Sequence, residues 1–473
     1  MGPMANLSQL LGRPTDRSVT LSLLSATAGD AYVEWKLASD TNPKRSAMVS
    51  MSPGQPVEIE IDGLKPDAQY RYRLFRKAAG QPSFQPGAEC GFHTQRAAGS
   101  SFTFALQGDS HPERQGKMFH PDLYVRTLGN VAKDRPDFYL MLGDDFSIER
   151  LIERQTLSRE SVGEVYAYQR GFLGLIGSSS PLFLVNGNHE QAARYLLDGT
   201  DSNAAVLAAQ ARNRFYALPT PGRFYTGDEE KVERVGFLRD YYAWTWGDAL
   251  FVVIDPYWHS PVAVDNRAGE RAHGDGKREE GDNPKEGQGG KGKRDLWQIT
   301  LGEAQYRWLT QALTGSKARW KFVFAHHVNG TGRGGVEESD LYEWGGKDKR
   351  GRDQFQEKRP GWPMPIHALM VKTGVTVFFQ GHDHIYAHQE RDGVIYQSAP
   401  NPADSTYQAF NREAYRSGDI LPNSGHLRVT VSPKDVRVDY VRAFLPSDEG
   451  DGRTNGMVAH SYSVKAKPAE GGR

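Results

Sequence analysis

Gly381-His382-Asp383-His384 stands at the end of an apolar run, 375–379, that reads as a buried strand. Two histidines one residue apart at a strand mouth project in different directions, which suits them to serve two neighbouring metal ions rather than one. Four further strand-like runs also stop at residues able to ligate metals. Gly108-Asp109-Ser110-His111 follows the run 102–106, Gly143-Asp144-Asp145 follows 138–142, Gly187-Asn188-His189-Glu190 follows 182–185, and His326-His327 follows 322–324. Open sheets packed on helices bind ligands at the carboxyl ends of their strands, so these ends have a physical reason to converge. A glycine just before four of the five supplies a permissive turn where the backbone leaves the sheet.

With 473 residues the chain is too long for one ordinary core, and two domains are expected. Lys plus Arg balances Asp plus Glu at 58 each, which gives no bulk reason to expect nucleic acid or an anionic membrane and favours a small-molecule substrate. The single cysteine, Cys90, excludes an intrachain disulfide and a cysteine-based zinc site, so metals must be held by Asp, Asn and His. No apolar run approaches the about 18 residues of a membrane span, and no signal peptide is read. Met1-Gly2-Pro3-Met4 has the look of a cloning remnant. A short basic run, 347–352, is followed by acidic residues and reads as a solvated loop, not as a nucleic-acid patch.

From 8 to 96 the chain reads as an all-β, immunoglobulin-like sandwich, with alternating runs at 18–24, 31–37, 57–61, 70–75 and 91–94. The spacing from Leu64 to Tyr72 predicts a tyrosine corner, and Trp35 is the expected core aromatic. A polar linker, 96–101, leads to a second domain, 102–465, in which strands alternate with helical patterns such as 162–175, 203–216 and 303–313. The run 244–255 reads as one more buried strand, and 427–431 with 436–441 as a closing hairpin. Two inserts interrupt this plan: 265–294, rich in charge and glycine, reads as a surface loop, and 329–363 reads as a rim over the site or as structural padding.

The ordered set GDxH, GDD, GNHE, VxxHH and GHDH resembles the calcineurin-like metallophosphoesterase superfamily, and within it the branch built like the purple acid phosphatases, with a fibronectin type III-like domain in front. The resemblance implies a four-layer α/β sandwich of two mixed sheets flanked by helices. In front of it the β-sandwich would be a spacer in preference to a substrate-binding module. It also implies that Asp144 bridges two ions, with Asp109, His111 and His384 completing one site and Asn188, His326 and His382 the other. Taken singly, Asn188 would read as a turn residue and Asp109 as a helix cap. Imidazoles and an amide suit zinc, manganese or iron better than calcium. His327 is expected outside the ligand set, and Asp145, Glu190 and Asp383 are expected to orient the ligand histidines.

Two divalent ions imply hydrolysis of phosphate esters by a metal-activated hydroxide, phosphomonoesters first. Phosphodiester hydrolysis at the same centre is the alternative, and a non-catalytic surface-binding protein the third reading. His189, beside Asn188 but outside the implied ligand set, is the candidate acid at the leaving oxygen, so His189 and Asp144 are the residues expected to carry catalysis. Purple acid phosphatases place a tyrosine three residues after the bridging aspartate. Here Ser147 stands there, which implies a colourless centre. Arg114, Tyr257, Trp258, His259 and His388 could face substrate or simply pack in loops. The resemblance also implies export.

Overall fold

The computed structural model of the chain describes residues 6–265, 295–328 and 332–466. Residues 266–294 of the insert 265–294, loop residues 329–331 and the tetrapeptide at residues 1–4 lie outside them. Two large mixed sheets face each other. The first runs Val458–Lys465, Asp435–Arg442, Gly425–Val431, Phe102–Gln107, Tyr139–Met141, Leu182–Leu184, Leu7–Gly12, Val19–Ser25 and Val57–Ile61. The second runs Thr226–Gly227, Tyr242–Trp246, Ala249–Val253, Trp320–Phe324, Val377–Gln380, Val394–Ser398, Tyr386–Arg391 and Asp419–Leu421.

Alternation along each strand sends one set of side chains into the space between the sheets, and in this chain that set is aromatic. Phe104 of the first sheet meets Phe251 edge to face at 5.2 Å between centroids and also packs on Phe322, Phe324 and Phe379 of the second. Each such pair adds about 0.5–1.5 kcal/mol beyond burial and fixes how the sheets sit on each other. The opposite faces are covered by helices, Pro121–Asp134, Arg159–Gly177 and Ala204–Phe215 on the first sheet, Gly302–Gly315 and Ile366–Thr373 on the second. The result is the α/β sandwich expected for residues beyond 102.

Three strands of the first sheet, Phe102–Gln107, Tyr139–Met141 and Leu182–Leu184, are parallel neighbours. In the second, Ala249–Val253, Trp320–Phe324, Val377–Gln380 and Val394–Ser398 are parallel as well. All five motif-bearing strands therefore end at one edge of the sandwich. The run 244–255 proves to be two strands, because the chain turns back at Gly247, where φ is 56° and a β-carbon would press on the Phe102 ring. Periodicity could not show this, since both strands are apolar and only the turn separates them. The closing hairpin pairs Val431 with Val436, and a further strand, Val458–Lys465, adds outside it.

Residues 6–96 are all-β, and their strands bury Leu21, Leu23, Val33, Trp35, Tyr72 and Phe92. The Tyr70 hydroxyl accepts from the Lys65 amide at 2.8 Å, which is the expected tyrosine corner. Leu7–Gly12, which the sequence pattern does not reveal, pairs with Val19–Ser25 and, at Gly12, with Leu182 in parallel, so this part of the chain extends the first large sheet. The junction is held by Arg170, which is fully buried on the helix Arg159–Gly177. Its guanidinium donates to Ser8 Oγ at 2.8 Å, to Ser22 Oγ at 3.0 Å, to the Ser22 carbonyl at 2.9 Å and to the Phe215 carbonyl. Burial lowers the pKa of Arg170 to about 10, still charged at neutral pH. Arg170→Ala leaves these acceptors without a donor and should cost about 3–5 kcal/mol in urea unfolding, whereas a loss below about 1 kcal/mol would show that the junction does not depend on it.

Candidate metal centre

The strand ends bring all seven expected ligands together, and each is nearly or fully buried. Asp144 sits in the middle. Its Oδ2 lies 3.1 Å from His326 Nε2, 3.6 Å from His111 Nε2 and 3.8 Å from His189 Nε2. On one side Asp109 Oδ2 is 3.0 Å from His384 Nε2, and the Nε2 atoms of His384 and His111 are 3.1 Å apart. On the other side His326 Nε2 lies 3.0 Å from Asn188 Oδ1 and 3.2 Å from His382 Nδ1. Asp109, His111 and His384 thus form one cluster of possible ligands and Asp144, His326 and His382 another, and Asp144 also groups with His111 and His189.

The hydrogen-bond partners on the far side of the rings fix which nitrogens face inward. His326 Nδ1–H donates to the Leu142 carbonyl at 2.8 Å, and His111 Nδ1–H donates to Glu113 at 2.8 Å, which leaves an Nε2 lone pair on each aimed at the cluster. Lone pairs, carboxylate oxygens and an amide oxygen converging at these distances repel unless positive charge lies among them. Asp109 Oδ2, buried and without a hydrogen-bond partner, is a further acceptor in need of one. Burial opposes a charge on His326, yet Asp144 and Asp109 hold its pKa up to about 10, so the surroundings of Nε2 call for a cation. Burial keeps His111 and His382 well below the ordinary range, hence neutral donors. The donor set, two carboxylates, one amide and four imidazoles, fits two borderline divalent ions.

The glycines play a different part from the one expected. Only Gly143 among them takes a positive φ, 99°, while the left-handed conformations fall on the ligands His111, Asp144, His382 and His384 at 48°, 59°, 68° and 50°. Such conformations cost roughly 1–2 kcal/mol each in a non-glycine residue and collect where a site demands them. Gly187 and Gly381 instead make room: a β-carbon at Gly187 would collide with Asp144 Oδ1, and one at Gly381 with Asp109 Oδ1.

Nor do Asp145, Glu190 and Asp383 orient the histidines. Glu190 accepts from the amides of Asp144, Asp145, Phe146 and Gly187, bracing the loop that carries the central carboxylate. Asp145 accepts from Gln107 and Ser110, and Asp383 from Gly334, Arg333 and Tyr415. The rings are held by residues with no motif to announce them, Glu113 behind His111 and Glu149 behind His189 at 2.8 Å each, while Asp265 Oδ2 lies 3.3 Å from His382 Nε2. Glu113 does lie two residues beyond the histidine it holds, the one signal available, whereas Glu149 lies 40 residues from His189.

His189 lies at the rim of the cluster. Burial lowers its pKa, but Glu149 and Asp144 outweigh that and bring it to about 9. Arg114 Nη2 donates to His189 Nε2 at 3.1 Å, so a guanidinium and a titratable imidazole share one side of the centre. His327 packs on His382 at 4.3 Å between ring centroids and stacks near Tyr257, whose hydroxyl is 3.3 Å from its Nδ1. Of loop 332–363, Arg333 reaches the site by donating to the His382 carbonyl at 2.5 Å, and the Gly334 amide donates to Asp383 at 2.8 Å. Glu343, Trp344, Arg359 and Trp362 pack against the second sheet's helices, so padding describes them better than a rim. Trp258 is buried among Ala205, Ala209 and Leu238, and His388 stacks on Tyr462 at the sheet edge.

Gly187→Ala tests this geometry, because the added carbon must displace Asp144. Metal affinity should fall at least about tenfold, while Gly174→Ala, on a helix with open space around it, leaves affinity unchanged. Equal affinity in the two variants would mean that Asp144 is not where metal binds.

A family model described as calcineurin-like phosphoesterase matches residues 102–386. No curated protein matches the chain. Similar solved structures include the purple acid phosphatase PPD1 from seeds of yellow lupin (Lupinus luteus), with 13% identity and a TM-score of 0.60 over 97% of this chain and 74% of that one. Another is PhoD, with 16% identity and a TM-score of 0.63 over 97% and 90%. At such identities these two speak for the fold. No helix among the described residues is long and apolar enough to cross a membrane. The family match covers more than half of the chain and spans all five motifs around the Asp144 cluster, and the chain belongs to the calcineurin-like phosphoesterase family as a metal-dependent phosphoester hydrolase.

Proposed function

We propose that the protein is a phosphomonoesterase with a dinuclear centre held by Asp109, His111, Asp144, Asn188, His326, His382 and His384, the ions being zinc, manganese or iron. When bound, the ions supply positive charge for the phosphoryl oxygens and a nucleophilic water of lowered pKa. The observation that favours monoesters is the pairing of Arg114 with His189 beside Asp144. A monoester dianion carries one more negative charge than a diester, and a guanidinium beside an imidazole able to take up a proton stabilises that extra charge.

In this reading Arg114 binds and orients a phosphoryl oxygen. His189, held by Glu149 through Nδ1, accepts from Arg114 at Nε2; once Arg114 turns to a phosphoryl oxygen, Nε2 takes up a proton and passes it to the leaving oxygen. Asp144 would serve both metal positions, since its Oδ2 faces imidazoles on both sides. Ser147 occupies the place of the tyrosine that colours purple acid phosphatases, so we expect no phenolate ligand. The division into a fibronectin type III-like unit, 8–96, and a catalytic unit, 102–465, belongs to the same proposal. It is supported by the all-β segment 6–96 and by a family match that begins at 102. So does export, which a centre made only of Asp, Asn and His tolerates because it needs no reduced thiol.

An aryl phosphomonoester should be hydrolysed faster than the matched diester by the reconstituted protein, and diester preference would transfer the assignment to phosphodiesterase. Asp144→Asn should lose turnover together with metal. His189→Ala should keep its metal and lose about 100- to 10,000-fold in kcat, most for poor leaving groups. Loss of metal on His189→Ala would contradict the role given to that residue. The pure protein should lack a visible charge-transfer band, and a purple colour would contradict the reading of Ser147.

A further inference from the structure

A second group of metal-ligand residues lies on the outer strands of the second sheet, apart from the Asp144 centre. Asp228 directly follows the strand Thr226–Gly227, and Asp240 stands two residues before its antiparallel partner, Tyr242–Trp246, with Gly227 opposite Tyr242. His259 comes from the loop after Ala249–Val253, the next strand in the sheet. One carboxylate oxygen of each aspartate and one ring nitrogen of His259 all lie within 4.8 Å of one another. Asp228 is 3% exposed and Asp240 2%, whereas the His259 side chain is 14% exposed, so the group opens to solvent on the histidine side.

Local bonds satisfy part of this group. Asp228 Oδ1 accepts from the Glu230 amide at 2.9 Å, Asp240 Oδ1 accepts from the Tyr241 amide at 2.8 Å, and Asp240 Oδ2 lies 3.0 Å from His259 Nε2. Asp228 Oδ2 is buried and receives no hydrogen bond. An orphaned carboxylate oxygen inside the protein is unfavourable, and a second carboxylate beside it raises that cost. One imidazole can neutralise one of the two aspartates but not both.

We propose that Asp228, Asp240 and His259 form a third cation site, distinct from the dinuclear centre, which takes one borderline divalent ion such as zinc or manganese and ties the outer strands of the second sheet to the loop 255–259. Two carboxylates and an imidazole with an open side match the three protein ligands plus water that such ions accept, whereas calcium asks for oxygen donors throughout. The strain of holding the two carboxylates together shows in Asp228, whose pKa burial and the nearby Asp240 push up to about 6. The ion would act as a brace. Asp255, four residues before His259, accepts from Asn186 at 2.7 Å, and Asn186 lies two residues ahead of Asn188, so the braced loop abuts a strand end of the main centre.

Equilibrium dialysis of the full chain against manganese, and separately zinc, tests the proposal. Wild type should bind one equivalent more than Asp228→Asn or His259→Ala, and Asp144→Asn should keep that equivalent while losing those of the main centre. An equal count in wild type and both third-site variants would overturn the proposal. Should the variants fail to fold, anomalous scattering from wild-type crystals grown with manganese decides. A peak among Asp228, Asp240 and His259 supports the site, and none there overturns it, whatever the occupancy around Asp144.

Discussion

Three imidazole nitrogens converge on one buried carboxylate oxygen, Asp144 Oδ2, and the rest of the structure accommodates that convergence. Asp144 itself takes a left-handed backbone conformation, the neighbouring loop leaves out a β-carbon at Gly187 to admit its oxygen, and Glu190 collects four amides to hold the loop in place. None of these features stabilises a fold by itself. Together they amount to stored strain and buried charge, which persist in a protein when binding of a cation returns the free energy they cost.

The two-sheet architecture explains how such a cluster can be rigid. His326 is carried by the second sheet yet donates to Leu142 of the first, and the His382 amide donates to Asp109 across the same divide at 2.7 Å. The site therefore straddles the aromatic core. Its geometry is set by the packing of Phe104 against Phe251, Phe322, Phe324 and Phe379, and these rings have few ways to repack. On the far flank the N-terminal strands lengthen the first sheet, and Arg170 ties them to the helix Arg159–Gly177, whose Gln169 donates to Ser110 between Asp109 and His111. One turn of that helix thus touches both the N-terminal sandwich and the first motif.

Much of the site was legible in the sequence because each ligand follows a short apolar strand, and parallel strands of one layer end at the same edge. Asp109, Asp144, Asn188, His326, His382 and His384 are all announced in that way. The groups behind the rings were not. Glu113 acts from a short 3-10 turn, Glu149 from the first residue of a short helix and Asp265 from a loop, and no periodicity records which carboxylate will meet which imidazole. Asp145, Glu190 and Asp383 stand within the motifs, but a spacing shows proximity and not whether a carboxylate faces a ring or a backbone amide. In the fold, the strand Leu7–Gly12 was missed because its pattern, LSQLLG, alternates too weakly, and its pairing with Leu182 is a contact between distant parts of the chain. The hairpin at Gly247 was missed because two buried strands joined by a two-residue turn read as one long run.

The central claim is that Asp144 is shared between two metal positions. Electron paramagnetic resonance of the manganese-reconstituted protein tests it directly, because two Mn(II) ions joined through one carboxylate are exchange-coupled and isolated ions are not. The account predicts the many-line spectrum of a coupled pair, lost on Asp144→Asn. A simple six-line spectrum at full metal loading, unchanged by that substitution, would contradict it.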